Sequence, residues 1–128
     1  MKQFISQIAT NKEQSDRLID LRVNSNTCDL LHLFGLKNPP IIRTFQNKCN
    51  YPAWSLSRLL EMIPTNINGY ILEVDFENKG LSYSKTNCCD KLDCLYIRGY
   101  ENLFDGLIDC IEWLINNMFF NKEYLELI

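Results

Sequence analysis

Tyr70-Ile71-Leu72-Glu73-Val74-Asp75-Phe76-Glu77, followed by Asn78-Lys79-Gly80 and Leu81-Ser82-Tyr83, is the stretch that decides the fold. Tyr70, Leu72, Val74 and Phe76 fall on one side of an extended chain, and Ile71, Glu73, Asp75 and Glu77 on the other. That period of two marks a half-buried strand with one apolar and one mostly acidic face. Asn78-Lys79-Gly80 reads as a three-residue hairpin loop with Gly80 in the left-handed position, and Leu81 and Tyr83 continue the apolar face on the return strand. Further out, Leu95 and Ile97 suit the inner face of a third strand, with Cys94 and Tyr96 pointing outward. Asn102 then caps a helix, and Asp105 lies favourably against its dipole. Leu103, Phe104, Leu107, Ile108, Ile111, Leu114 and Ile115 form one stripe along that helix. Full burial of such a stripe contributes on the order of 10–20 kcal/mol gross, against a net domain stability of about 5–15 kcal/mol. The expected class is α+β: a three-stranded antiparallel meander packed on a C-terminal amphipathic helix, with N-terminal helices and loops.

The first half carries weaker signals. Thr10-Asn11-Lys12-Glu13 has the form of a capping box, predicting a helix to about Leu21 with Gln14, Leu18 and Leu21 on one face. Asn24-Ser25-Asn26-Thr27 breaks it. Asp29 to Phe34 reads as one or two helical turns stopped by Gly35, Lys37 to Pro40 as a loop, Ile41 to Phe45 as a short strand, and Asn47 to Pro52 as a loop. Trp54 to Pro64 is a compact helix with Ser55 as N-cap and Trp54 closing on Leu59. Leu56, Leu59, Leu60 and Ile63 share its apolar face, and Pro64 ends it. The expected organisation is one domain over 1–128: a helical and loop region 1–52, the helix, meander and main helix over 53–117, and an apolar tail helix over 118–128.

With 128 residues, 46% hydrophobic and 23% charged, the chain has one domain's worth of length and an ordinary globular composition. A net charge of −3 disfavours nucleic acid as a general partner, since that needs a basic field. No run reaches the eighteen or so apolar residues of a membrane span. Met1 to Gln7 has one cation and no apolar run, so no signal peptide is expected; the expected location is the cytoplasm. Six cysteines fall below the density of a disulfide scaffold and are expected as thiols.

Three blocks carry a family resemblance: Thr10…Glu13-Gln14-Ser15…Leu18 with Thr27-Cys28-Asp29-Leu30; Pro52-Ala53-Trp54-Ser55-Leu56-Ser57-Arg58-Leu59-Leu60-Glu61-Met62-Ile63-Pro64; and Asn102-Leu103-Phe104-Asp105 to Trp113-Leu114. Together they resemble small uncharacterised proteins of phages and integrated mobile elements of gut Bacteroidales. The resemblance implies a setting and no mechanism. Separately, the strand, strand, strand, helix order of Gly69 to Leu114 is similar to the HicB-type antitoxin domain, which masks a small ribonuclease toxin. Cys88-Cys89-Asp90-Lys91 stands where that family has a Pro-Gly-Cys-type loop, and no DNA-binding tail follows the helix.

Candidate chemistry is sparse. Cys88, Cys89 and Cys94 are a zinc candidate short of a fourth ligand, with Asp90, Asp93, Cys28, Cys49 and His32 as the remaining donors; the plainer reading is a loop with incidental thiols. Cys28 and His32, four apart on a helix, would form a thiolate–imidazole pair, yet their apolar flanks point to a core. Glu73, Asp75 and Glu77 on one strand face could hold a hard cation for phosphoryl chemistry, although about 6.5–7 Å between neighbours is too wide for one ion. A solvated face is the simpler account. Tyr51, Trp54, Tyr96, Tyr100 and Trp113 could stack bases, but the basic residues do not gather among them. No phosphate loop, dinucleotide fingerprint or nucleophile elbow is present, and no cofactor is implied.

Gly106, Cys110 and Trp113 share the flank of the main stripe. A helical Gly costs about 1 kcal/mol against Ala, so close approach by another element is expected there, either internal or from a second copy in a homodimer. The favoured role is non-enzymatic: an accessory protein that binds a host or phage protein through the sheet edge and an apolar tail with Phe119, Phe120 and Tyr124. An antitoxin-like regulator and a cation-dependent hydrolase using Glu73, Asp75 and Glu77 are the alternatives.

Overall fold

The computed structural model describes residues 7–32, 41–42, 51–86 and 91–126. The protein is α+β, and it divides into two compact units, Met1–Leu60 with Lys122–Ile128, and Glu61–Asn121.

The first unit begins with helix α1, Lys12–Asp20. Its N-cap is Asn11 rather than Thr10. The Asn11 side chain accepts from the Gln14 amide, and the Gln14 side chain accepts from the Asn11 amide. Thr10 is unavailable as a cap because its hydroxyl bonds Ser15 Oγ and accepts from the Trp54 amide. Leu30–His32 is strand β1, where helical turns were expected. It pairs antiparallel with β2, Ile41–Ile42, and with β3, Tyr51–Ala53, giving the order β2-β1-β3. Long-range pairing overrides the local preference of a short apolar run. The loop expected to end at Pro52 likewise gives way to β3, an edge strand, where a proline is tolerated. Helix α2, Leu56–Met62, follows. Ser55 Oγ accepts from the Arg58 amide as expected of an N-cap. Leu59, Met62 and Ile63 are buried, whereas Leu60 is exposed and leaves the expected apolar face.

The second unit holds a four-stranded antiparallel sheet in the order β4-β5-β6-β7: Asn66–Ile67, Tyr70–Asp75, Gly80–Thr86 and Leu92–Gly99. The expected three-stranded meander therefore gains an edge strand. Asn68 and Gly69 both have positive φ, 51° and 94°, the requirement of the two-residue turn that joins β4 to β5. The next turn also differs from expectation. Asp75 pairs with Gly80, so the loop is Phe76 to Lys79, and the left-handed residue is Lys79 (φ 52°). Phe76, in that loop, is 71% exposed.

Tyr83 pairs with Tyr96 but Ser84 pairs with Cys94, leaving Leu95 as the extra residue of a bulge. The extra residue reverses the alternation beyond it. Tyr96 is consequently buried and Ile97 is 72% exposed, the opposite of the expected phase. Helix α3, Leu103–Asn116, packs on β6 and is capped by Asn102 Oδ1, which accepts from the Asp105 amide at 3.2 Å. Phe104, Leu107, Ile108, Ile111 and Leu114 are buried; Leu103 and Ile115 are half-buried.

The segment after α3 is not an apolar helix. It consists of a 3-10 turn, Lys122–Tyr124, and a bridge from Leu125 to Val23 in the first unit. Leu107 and Ile111 have no exposed surface, so a carboxylate at either would be buried without a partner. Leu107→Asp or Ile111→Asp is expected to abolish folding of the second unit, read as loss of a cooperative thermal transition; a soluble double variant that melts cooperatively would contradict this.

Candidate functional site

Gly106, Cys110 and Trp113 follow one another at four and three residues along α3, which stacks them on one flank. At the first position, a Cβ added to Gly106 would lie 2.8 Å from Tyr100 Cβ and 3.0 Å from its Cγ. Tyr100 is pinned there by its amide, which donates to Lys79 O at 2.8 Å. The expected close approach is thus internal to the second unit, and Tyr100 makes it.

At the second position, Cys110 is buried beside the hydroxyls of Tyr83 and Tyr96. Burial pushes its thiol up to about 12, with the Tyr83 hydroxyl opposing the shift and the Asp109 charge adding to it. Tyr83 donates to Pro64 O at 2.5 Å, and burial first, then Cys110, raises its phenol. Burial and then Cys110 likewise push Tyr96 up to about 12, while Arg98 acts the other way. Among the described residues Tyr96 Oη is nonetheless buried without a hydrogen-bond partner. At the third position the half-buried Trp113 indole meets three rings: Tyr96 at 4.8 Å between centroids, Phe119 at 5.7 Å and Tyr83 at 6.0 Å. Such offset and tilted pairs add cohesion beyond area burial. The cluster is fully protonated at neutral pH. A thiol in that state is a small hydrophobe, not a nucleophile.

Phe119 is therefore spent against Trp113, and Phe120 is buried. The last turn of α3 folds the chain back: Met118 is left-handed (φ 62°), its amide donates to Ile115 O, and the Phe119 amide donates to Leu114 O. Met118 alone of Met118-Phe119-Phe120 is fully open, at 87%. Tyr124 is half-buried, and its carbonyl accepts from the Asn24 amide at 2.7 Å.

The acidic row is not a row of three on one strand. Glu73 is an exposed strand residue and Glu77 lies in the loop after β5. Asp75 caps that loop: Oδ1 accepts from the Glu77 and Asn78 amides, and Oδ2 from Asn78 Nδ2. The Asn78 side chain, and then its amide, hold this carboxyl below the usual range. Cys94 is exposed; Cys88 and Cys89 lie outside the described residues, as does Cys49. Among the described residues no three His, Cys, Asp or Glu gather closely enough to hold a metal.

Cys28 and His32 do not share a helix. Cys28 follows a 3-10 turn, Ser25–Thr27, in extended conformation, and His32 ends β1. His32 Nε2 lies 2.9 Å from Thr10 O. A carbonyl only accepts, so Nε2 is the donor, and among the described residues the buried Nδ1 meets no hydrogen-bond partner. Trp54 is fully buried, with Nε1 donating to Thr27 Oγ1, and Lys12 lies over the Tyr51 ring. Neither ring is a free stacking platform. Asp29 went unread in the sequence: it accepts from the Ser55 amide and hydroxyl and so fixes the start of α2. Comparison with protein-family models, curated proteins and solved structures finds no match.

Gly106→Ala is expected to lower stability by about 1–3 kcal/mol despite its better helix propensity, because overpacking wins. Tyr100→Ala should fail to rescue it, since the clashing atom is Cβ; thermal melts of the single and double variants check both. Cys110 and Tyr96 hold their protons more tightly folded than at their ordinary values of 9.0 and 10.0. Their contribution is complete below about pH 9 and is lost as pH rises towards 12, because the unfolded chain releases those protons first. Denaturant titrations across that window should show falling stability, with a shallower fall for Cys110→Ala.

Proposed function

We propose that this chain acts by binding a protein, of the host or of the phage, as a non-enzymatic accessory factor of a phage or mobile element working in the host cytoplasm. The supporting observation is the outer face of the second sheet. Register places Ile71, Ser84 and Cys94 side by side, and Glu73, Ser82 and Ile97 beside them. Ile71, Ile97 and Leu92 are exposed large apolar side chains there, Leu92 at 68%. Exposed large apolar groups on one face, here interleaved with Ser82 and Ser84, are a feature of surfaces that bind protein. The face is better suited than the edge. Of the two outer strands among the described residues, β4 is only two residues long, and the bulge at Leu95 and the charged Asp93 and Arg98 of β7 are devices that guard an edge against pairing.

The chemistry described above supports the same reading, since the Cys110 thiol is held protonated and Asp75 is committed to its loop. The mobile-element setting rests on the resemblance of the Thr10–Leu30, Pro52–Pro64 and Asn102–Leu114 blocks. No helix among the described residues is long and apolar enough to cross a membrane. An antitoxin-like regulator is the second reading, favoured by the order β5, β6, β7, α3; it requires a small basic toxin as partner.

Leu92→Lys with Ile97→Lys should leave the melting temperature within a degree or two, as surface changes usually do, and should abolish the partner that the parent chain captures from host extract. Identical capture by both chains would remove the sheet face from consideration.

A further inference from the structure

Helix α1 ends without a glycine. Arg22 takes the left-handed conformation (φ 71°), its amide donates to Ile19 O, and the Val23 amide donates to Leu18 O. This pattern of two closing bonds satisfies the last helical carbonyls and turns the chain outward. It aims Arg22 O and the amide of the extended residue Asn24 to the same side. Residues 124–126 lie antiparallel across them. Val23 bridges Leu125, the Asn24 amide donates to Tyr124 O at 2.7 Å, and the Glu126 amide donates to Arg22 O at 2.8 Å. Val23 and Leu125 form the pair without mutual main-chain bonds, where facing side chains come closest. Val23 is left 1% exposed, while Leu125 is half-buried and Lys122, Glu123 and Glu126 are exposed.

We infer that Arg22–Asn24 is a strand-addition slot, closed in the isolated chain by its own C-terminal segment, which accepts from a protein partner an extended peptide with an apolar residue opposite Val23. The seated segment displays the chemistry of the occupant: one acceptor for Asn24, one donor for Arg22 O and an aliphatic side chain between them. The receptor half is itself tied to α1, through the Arg22 amide to Ile19 O and the Val23 amide to Leu18 O. Main-chain pairing of this kind supplies affinity, and the side chain at the centre supplies selectivity. A covering of three residues, two half-buried and one exposed, belongs to the lower end of local stability. The slot rests on the binding role proposed above but lies apart from the sheet face.

Amide exchange on the unmodified chain tests the opening. The Asn24 amide is expected to exchange at least tenfold faster than those of Leu18 and Ile19; equal rates would overturn the inference. A synthetic peptide of residues 121–128 tests the acceptance. It should bind saturably to a chain truncated after Asn121, at least tenfold more weakly to the full chain, and not at all when it carries Leu125→Asp. Truncation that unfolds α1, or a folded truncated chain that ignores the peptide, would show the segment to be a fixed part of the unit and refute the slot. None of these readouts involves Leu92 or Ile97, so the sheet-face reading stands or falls separately.

Discussion

Removal of the apolar stripe of α3 from water is the interaction on which the second unit depends. Leu107, Ile108, Ile111 and Leu114 have no exposed surface, and Leu81 and Tyr83 of β6 are equally buried. Everything observed at the Gly106, Cys110 and Trp113 flank is a corollary. The helix lies close enough for Tyr100 to occupy the space of a missing methyl, and the medium is dry enough to keep a thiol and two phenols protonated. Conditions that suit packing are those that silence the reactive groups.

The first unit solves its problem with polar bonds. Thr10 and Trp54 exchange main-chain and side-chain bonds, the Trp54 indole reaches Thr27, Arg58 Nε donates to Thr27 O, and Asp29 holds Ser55. These contacts join residues 26 to 44 positions apart in the chain. Buried polar networks specify a unique arrangement when satisfied and are costly when broken. Strands as short as β1 and β3 need such anchoring, because pairing of so few residues is weak by itself.

Local signals were legible where local physics decides. The Asn102 cap, the α3 stripe and the Ser55 cap read correctly because each needs only residues a turn away. Asn68-Gly69 between Ile67 and Tyr70 carries the hairpin signal that adds β4. The α1 cap slipped by one residue because Thr10/Glu13 and Asn11/Gln14 fit the same motif, and Trp54, far along the chain, claims Thr10. β1 was illegible since its partners lie beyond a local window. The Leu95 bulge leaves no trace in composition, and it inverted Tyr96 and Ile97. That inversion matters most for function, because it moves an isoleucine from core to surface. At the α3 flank, Gly106 announced a close neighbour, but only coordinates identify Tyr100.

The division of the chain has a consequence for its birth. Residues 122–126 complete the unit that begins before α1, whereas 61–121 form a unit uninterrupted in sequence. During translation the sheet and α3 can therefore emerge and collapse as a block, while the earlier-made half waits, with Val23 uncovered, for the segment that follows. Until residues 124–126 have been made, Arg22 O and the Asn24 amide lack the main-chain partners they hold in the finished unit.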